Sequence, residues 1–339
     1  MKKPFLLPFL FLAITTFAQK QFVVQNGTAQ TFSDLNAAIA AATAGDTLYI
    51  PGGGFSLSPA TIDKTLHWRG VGHYPDSTAA TGFTLITSGV AITGNCDNST
   101  FEGIYFQNGI TFGTAGNEAT GIVIKHCRIW GNLALRANTD ISGGYPDLNF
   151  KLTESVVAGI DARLGTNVRL EKNMVFSSLS NFYQCYFNHN DFNYGSSYVI
   201  NNCNFCQFVN NVFSWSQGIS NSFNCNFQNN LFQSTLPFDP VTQTHTGTNN
   251  ITGVGTSNVY QSIAVNNYTF DYANDYHLQA GSPGIGAATD GTNIGIYGTS
   301  LPYKEGAVPY APHIQSASID NEAVGGNLGV QIKVAAQER

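Results

Sequence analysis

Cys185-Tyr-Phe187-Asn-His-Asn190-Asp-Phe192, Cys206-Gln-Phe208-Val-Asn-Asn211-Val-Phe213 and Cys225-Asn-Phe227-Gln-Asn-Asn230-Leu-Phe232 are three copies of one phrase, Cys-x-Phe-x-x-Asn-x-Phe. The phrase returns after 21 and then 19 residues. Looser copies precede it at Val168-Arg-Leu170-Glu-Lys-Asn173-Met-Val175 and Ile122-Val-Ile124-Lys-His-Cys127-Arg-Ile129. Identical side chains at identical places, repeated about every 20 residues, mark a solenoid whose coils stack one above the next.

The phrase also carries its own geometry. Its two Phe positions are five apart, so strict strand alternation would send one of them outward. The chain must bend between them, and the Asn there tolerates the left-handed conformation of a tight bend. Stacked Asn side chains can bond along the axis, coil to coil. Asn173, Asn190, Asn211 and Asn230 therefore read as a structural ladder. Cys185, Cys206 and Cys225 read as a second one. Adjacent parallel strands aim such Cys side chains alike, which is poor disulfide geometry, so these Cys are expected reduced in the core.

Composition agrees with a polar, weakly charged rod. Only 11% of the 339 residues are charged, and Asn occurs 34 times, 12 of them in 201–250. A net charge of −6 offers no basic footprint for nucleic acid. No Lys or Arg stands between Lys172 and Lys304, so that stretch cannot hold a polyanion by ion pairs.

At the N-terminus, Lys2 and Lys3 precede an apolar run from Phe5 to Phe17, and Thr16-Phe-Ala18 offers a small-x-small cleavage site. Residues 1–18 are expected to be a signal peptide, with export to the periplasm, the cell surface or the medium. The run is too short to span a bilayer, and no later segment reads as a membrane span. Residues 31–45 read as a short helix that caps the open end of the solenoid, with Ser33 as its N-cap, Phe32, Leu35, Ile39 and Ala42 on one face and Gly45 as its stop. Residues 19–300 read as one all-β domain. In 301–339, Pro302, Pro309 and Pro312 make an extended link, and Ile314–Ile319 with Leu328–Val334 alternate like a hairpin.

Taken with Phe32–Gly53 as capping helix and first strand and with Ile62–Gly72 as a second rung, the phrase resembles a right-handed parallel β-helix of the pectin-lyase-like superfamily. Tyr276–Gly286 and Gly291–Gly295 resemble its last rungs. The resemblance covers roughly 30–300 and implies about ten coils, each rising about 4.8 Å. It also implies several possible chemistries: lyases of the superfamily use acidic residues on Ca²⁺ with an Arg or Lys base, and its polygalacturonases use grouped Asp residues. No Asp-Asp pair and no Gly-His-Gly occurs, so those catalytic residues find no counterpart.

Aligning Cys127, Ser155 and Asn173 stacks Lys125 on Thr153 on Glu171, His126 on Glu154 on Lys172, and Arg128 on Val156 on Met174. Trp130 lies just beyond, facing out. A long loop from Arg136 to Asp147 follows. This gives the candidate site: Lys125, Arg128, Trp130 and Glu171 as ligand contacts, and His126, Glu154 and Lys172 as the weak catalytic candidates. An enzyme reading requires Lys125, Glu154 and Lys172 within about 6 Å of each other in one cleft. Asp271, Asp275 and Asp290 are carboxylates near turns that could hold Ca²⁺, but their spacing matches no calcium loop and they read as turn residues, so no metal or other cofactor is expected. His245, in a Thr-rich loop, is expected exposed. The sequence favours an exported, monomeric, non-catalytic protein that binds glycans or other envelope components. A lyase or hydrolase of acidic polysaccharides and a purely structural rod are the alternatives.

Overall fold

The computed structural model describes residues 20–336 except 115, 138–141, 196–197, 216–217, 236–242, 256–258, 264–268, 307, 310–311, 321 and 324. Residues 1–18, expected to be a signal peptide, lie outside the described residues. The chain winds as a nearly all-β parallel solenoid of about nine turns, one fewer than the sequence suggests.

Three strand columns run along the axis. The first face begins at Asp46–Tyr49 and Leu66–Arg69 and ends at Asn226–Gln228 and Thr246–Thr248. The second runs from Gly53–Phe55 to Leu231–Phe232, and the third from Thr61–Ile62 to Ile219–Ser220. Within the phrase the register is as the repeat requires: Phe187 pairs with Phe208 and Phe208 with Phe227, while Phe192 pairs with Phe213 and Phe213 with Phe232. Their rings stack face to face inside at 4.5–4.9 Å.

The bend lies one residue earlier than the sequence suggests. The left-handed residues are His126, Glu154, Lys172, His189, Asn210 and Asn229, with φ of 49–57°. Asn173, Asn190, Asn211 and Asn230, which follow the last four of these, keep ordinary backbone and point inward. Asn190 shows the bonding: its Nδ2 donates to Leu170 O (2.9 Å) and to Asn211 Oδ1 (3.0 Å), while its Oδ1 accepts from Asn173 N (2.9 Å) and Asn173 Nδ2 (3.0 Å). The ladder runs on through Asn230 to Asn250, and at its other end Ser155 Oγ accepts from Cys127 N. Turning at the preceding residue frees the Asn side chain for this buried work and throws its neighbour onto the outer crest. All six cysteines are free and buried. His245 takes the next place in the Cys column and is buried, not exposed: its Nδ1 accepts from Cys225 N at 3.1 Å.

The N-terminal end is closed by more than a helix. Phe22–Asn26 pairs antiparallel with both Thr28–Phe32 and Asp46–Tyr49. The helix is Leu35–Ala41, capped by Asp34 rather than Ser33, because the extended backbone of Asp34 aims its Oδ1 at Ala37 N (2.8 Å). Leu35, Ala38 and Ala42 are buried in the main core.

The far end departs from expectation. Parallel pairing stops at Thr246–Thr248 and a bridge from Leu231 to Ile251. The segment expected to form the last rungs adds none. It folds back along the outside of the second face as a strap: Asn229 donates to Ala287 O, Gly295 N to Asn210 O, His189 Nδ1 to Gly295 O, and Lys172 Nζ to Leu301 O. Tyr303 then meets Tyr74, near the start of the rod. Beneath the strap, Val156, Met174, Val212 and Leu231 join Phe270, Tyr276, Ile294 and Ile296 in a second buried cluster. His313–Ile319 and Val330–Ala335 form the expected antiparallel hairpin. Among the described residues, no helix is long and apolar enough to cross a membrane.

Candidate functional site

Each coil has three corners, and the outward residues differ at each. The predicted ladders have the predicted register: Lys125 pairs with Thr153 and Thr153 with Glu171, and Arg128 pairs with Val156 and Val156 with Met174.

At the first corner, His126, Glu154 and Lys172 occupy consecutive left-handed crests. His126 Nε2 lies 2.9 Å from Glu154 Oε2, and Lys172 Nζ donates to Glu154 Oε1 at 2.6 Å. His126 Nδ1 is 3.6 Å from Glu102, a buried carboxylate that also pairs with Arg69 and, at 3.7 Å, with Lys125. Glu102 was not singled out from the sequence, since a lone Glu in Thr100–Glu102 carries no repeat signal. Glu154 is 7% exposed. Burial alone would raise its pKa, but the hydrogen bonds from His126 and Lys172 outweigh that and hold it at about 2. Lys172 also donates to the strap. These three groups are together, yet they are spent on each other and covered. Such a network locks coils to one another.

Glu171 sits on the open first face, paired with Lys151 (2.8 Å) and Arg169 (3.5 Å). Arg128 is held in an aromatic cage: Tyr105, Trp130, Tyr272 and Phe270 have ring centroids 4.6–5.1 Å from its guanidinium, and its Nη1 donates to Tyr272 OH at 2.8 Å. It fastens the strap and supports one side of Trp130.

Trp130 itself stands 38% exposed at the second corner. From it a shallow cavity of about 450 Å³ crosses the third face, walled by Asn132, Asp161, Ser178, Ser180, Asn181 and Asn201. Asp161 is oriented by Arg163 N (2.9 Å) and Asn181 Nδ2 (2.8 Å), and Asn202 Nδ2 continues the chain to Asn181 Oδ1 at 2.7 Å. These wall residues were missed from the sequence, though a signal exists. The pairs Ile160-Asp161, Leu179-Ser180, Ile200-Asn201 and Ile219-Ser220 are in register, with a buried apolar residue followed by an outward polar one. The loop 136–147, expected to wall a groove, lies partly outside the described residues; its Arg136 is buried against Glu118 at 2.8 Å.

A second cavity, about 460 Å³, lies beside the strap and is lined by Tyr74, Asp76, Asp271, Asp275, Tyr276 and Glu305 among others. Asp275, His277 and Glu305 bring three donor atoms within 4.8 Å there, the set best suited to a divalent cation among the described residues. Each is partly or largely exposed, and Asp275 is engaged by His277 N and Nδ1. Asp271 and Asp290 accept from the backbone N–H two residues on, Ala273 and Thr292, as turn carboxylates do.

Fold and surface together define a strapped parallel β-solenoid with an aromatic-walled polar groove at Trp130. No family model, no curated protein and no solved structure matches this chain.

Proposed function

We propose that this chain is an exported, non-catalytic glycan-binding protein, related in architecture to the pectin-lyase-like β-helices, and that Trp130 and the polar wall from Asp161 to Asn201 form its sugar site. One observation carries the reading: an exposed indole opens onto a groove of oriented amides, hydroxyls and one carboxylate. A pyranose has an apolar C–H face that suits an aromatic ring and hydroxyl edges that suit such a wall. The groove also separates this reading from a bare rod.

The lyase or hydrolase alternative requires His126, Glu154 and Lys172 to exchange protons with a substrate. Their burial and mutual bonding argue against that, and a carboxyl held at about 2 is a poor general acid at neutral pH. The ligand is expected to be neutral, since no Lys or Arg is among the described residues that line the groove. A glycan array run in parallel with assays for new reducing ends and for unsaturated uronate absorbance tests the reading. Binding without products is expected, with the binding of short glycans lost in Trp130→Ala. Turnover abolished by Glu154→Ala or Lys172→Ala would overturn it.

A further inference from the structure

We propose that the third corner, between the third and first faces, is a second glycan site that takes an extended neutral polysaccharide along the solenoid axis; this rests on reading the chain as a glycan-binding protein. Aromatic rings stand there coil after coil. Tyr145 and Tyr183 stack at 3.8 Å with an interplanar angle of 5°. Phe205 meets Tyr183 edge to face at 5.4 Å. Phe205 N donates to Phe223 O in the next coil, which continues the row. Tyr145, Phe205 and Phe223 are 42%, 48% and 46% exposed.

This arrangement gains nothing for the core. Phe205 has φ of 56°, at a corner position that Gln184, Asn224 and Thr244 fill in neighbouring coils. A bulky side chain in the left-handed region is unusual and costs stability. Placing an exposed ring there, where an amide serves elsewhere, points to a role outside the fold.

The edges of the row identify the occupant. Between and beside the rings stand Gln184, Asn204, Asn224 and Thr244. Asn204 Oδ1 accepts from Phe223 N at 3.0 Å, and Thr244 Oγ1 donates to Asn224 Oδ1 at 2.7 Å. A docked protein favours a contiguous apolar centre with a polar rim. Here rings and amides alternate along a line, with no Lys or Arg in the Tyr183–Thr244 stretch to hold an anionic chain. Successive coils are about 4.8 Å apart, so the row offers a periodic track. A linear polymer of neutral sugars, with C–H faces and hydroxyl edges repeating along its length, is complementary to that track.

Calorimetric titration with neutral linear gluco- and manno-oligosaccharides of increasing length tests this. It compares wild type, a Phe205→Ala/Phe223→Ala double variant and Trp130→Ala. In the wild type, affinity should rise with chain length. The double variant should lose at least about tenfold on the longest oligomer and lose the length dependence, with its melting temperature little changed because both rings are exposed. Trp130→Ala should keep the length dependence. A double variant that binds like wild type overturns the row; if Trp130→Ala alone loses binding, the groove reading stands by itself. Loss in the double variant with Trp130→Ala intact supports the row and removes the groove reading. No sugar binding by wild type overturns both. A wild type that sediments as a dimer, dissociated by the double substitution, makes the row an interface between copies and overturns the proposal.

Discussion

At the residue scale, the division of labour between neighbours decides the fold. Asn211 makes five buried bonds: its Oδ1 accepts from Asn190 N and Nδ2, its Nδ2 donates to Phe187 O and to Asn230 Oδ1, and its own N donates to that same oxygen. Asn211→Ala strands buried donors and an acceptor in the preceding coil, so a loss of about 3 kcal/mol or more is expected in denaturant unfolding. Gln184, by contrast, needs only its left-handed backbone, with φ of 53°. Gln184→Gly should change stability by less than about 1 kcal/mol. Comparable losses in the two variants would contradict the view that a left-handed corner residue supplies only backbone shape while the ladder Asn supplies buried bonds. The Asn ladder was legible because identical residues recur in register. The bend was misplaced by one residue because the crest residues His126, Glu154, Lys172, His189, Asn210 and Asn229 share no single side-chain type; only their backbone is alike.

Glu154 gives the pH dependence. Its pKa is depressed to about 2 in the folded state, so the unfolded chain binds the proton more readily. The stability it supplies is therefore complete above the ordinary carboxylate range, near 4.3, and is lost as pH falls toward 2. Glu154→Gln should melt well below wild type at neutral pH, by about 3 kcal/mol, as expected for breaking a buried pair. The gap should close as pH falls from about 5 to about 2. A gap that stays constant across that range would remove Glu154 from the role of ionised coil lock.

At the element scale, the strap is the part the sequence concealed. Residues 281–300 are rich in Gly, Thr and Ala and carry no strand or helix period. A faint mark of it lies elsewhere: Val156, Met174, Val212 and Leu231 are apolar at outward strand positions, next to inward Val157, Val175, Phe213 and Phe232. Strands apolar on both sides are covered on both faces. The strap approaches closely at Gly295, where φ is 90° and an added Cβ would lie 2.6 Å from Asp191 Oδ1 and 2.9 Å from Val212 Cγ2. Gly295→Ala should loosen the strap at a cost of about 1–3 kcal/mol. Hydrogen exchange should speed up at Gly295-to-Gly298 amides while Asn190 and Asn211 amides stay protected. Uniform exchange across both regions would mean that strap and solenoid open as one unit.

At the scale of the whole molecule, the three corners have separate fates. The first is bonded internally and covered by the strap, the second opens onto the Trp130 groove, and the third carries the aromatic row. The repeat made the solenoid legible, and its looser copies drew attention to the charges at 125–172. Those charges mostly brace the coils, because a charge on a left-handed crest beneath a returning segment is buried against its neighbours. Trp130 was legible as an outward aromatic. Its polar wall was not, because Asp161, Ser180 and Asn201 come together only through coil stacking. The central claim is that neutral sugars bind at Trp130 without help from the charges. It is tested most directly by titrating wild type and Trp130→Ala with a neutral disaccharide, too short to follow the aromatic row, at low and at high salt. The account predicts a wild-type affinity that salt leaves unchanged and a loss of about tenfold or more in Trp130→Ala. An affinity that collapses with salt and survives Trp130→Ala would contradict it.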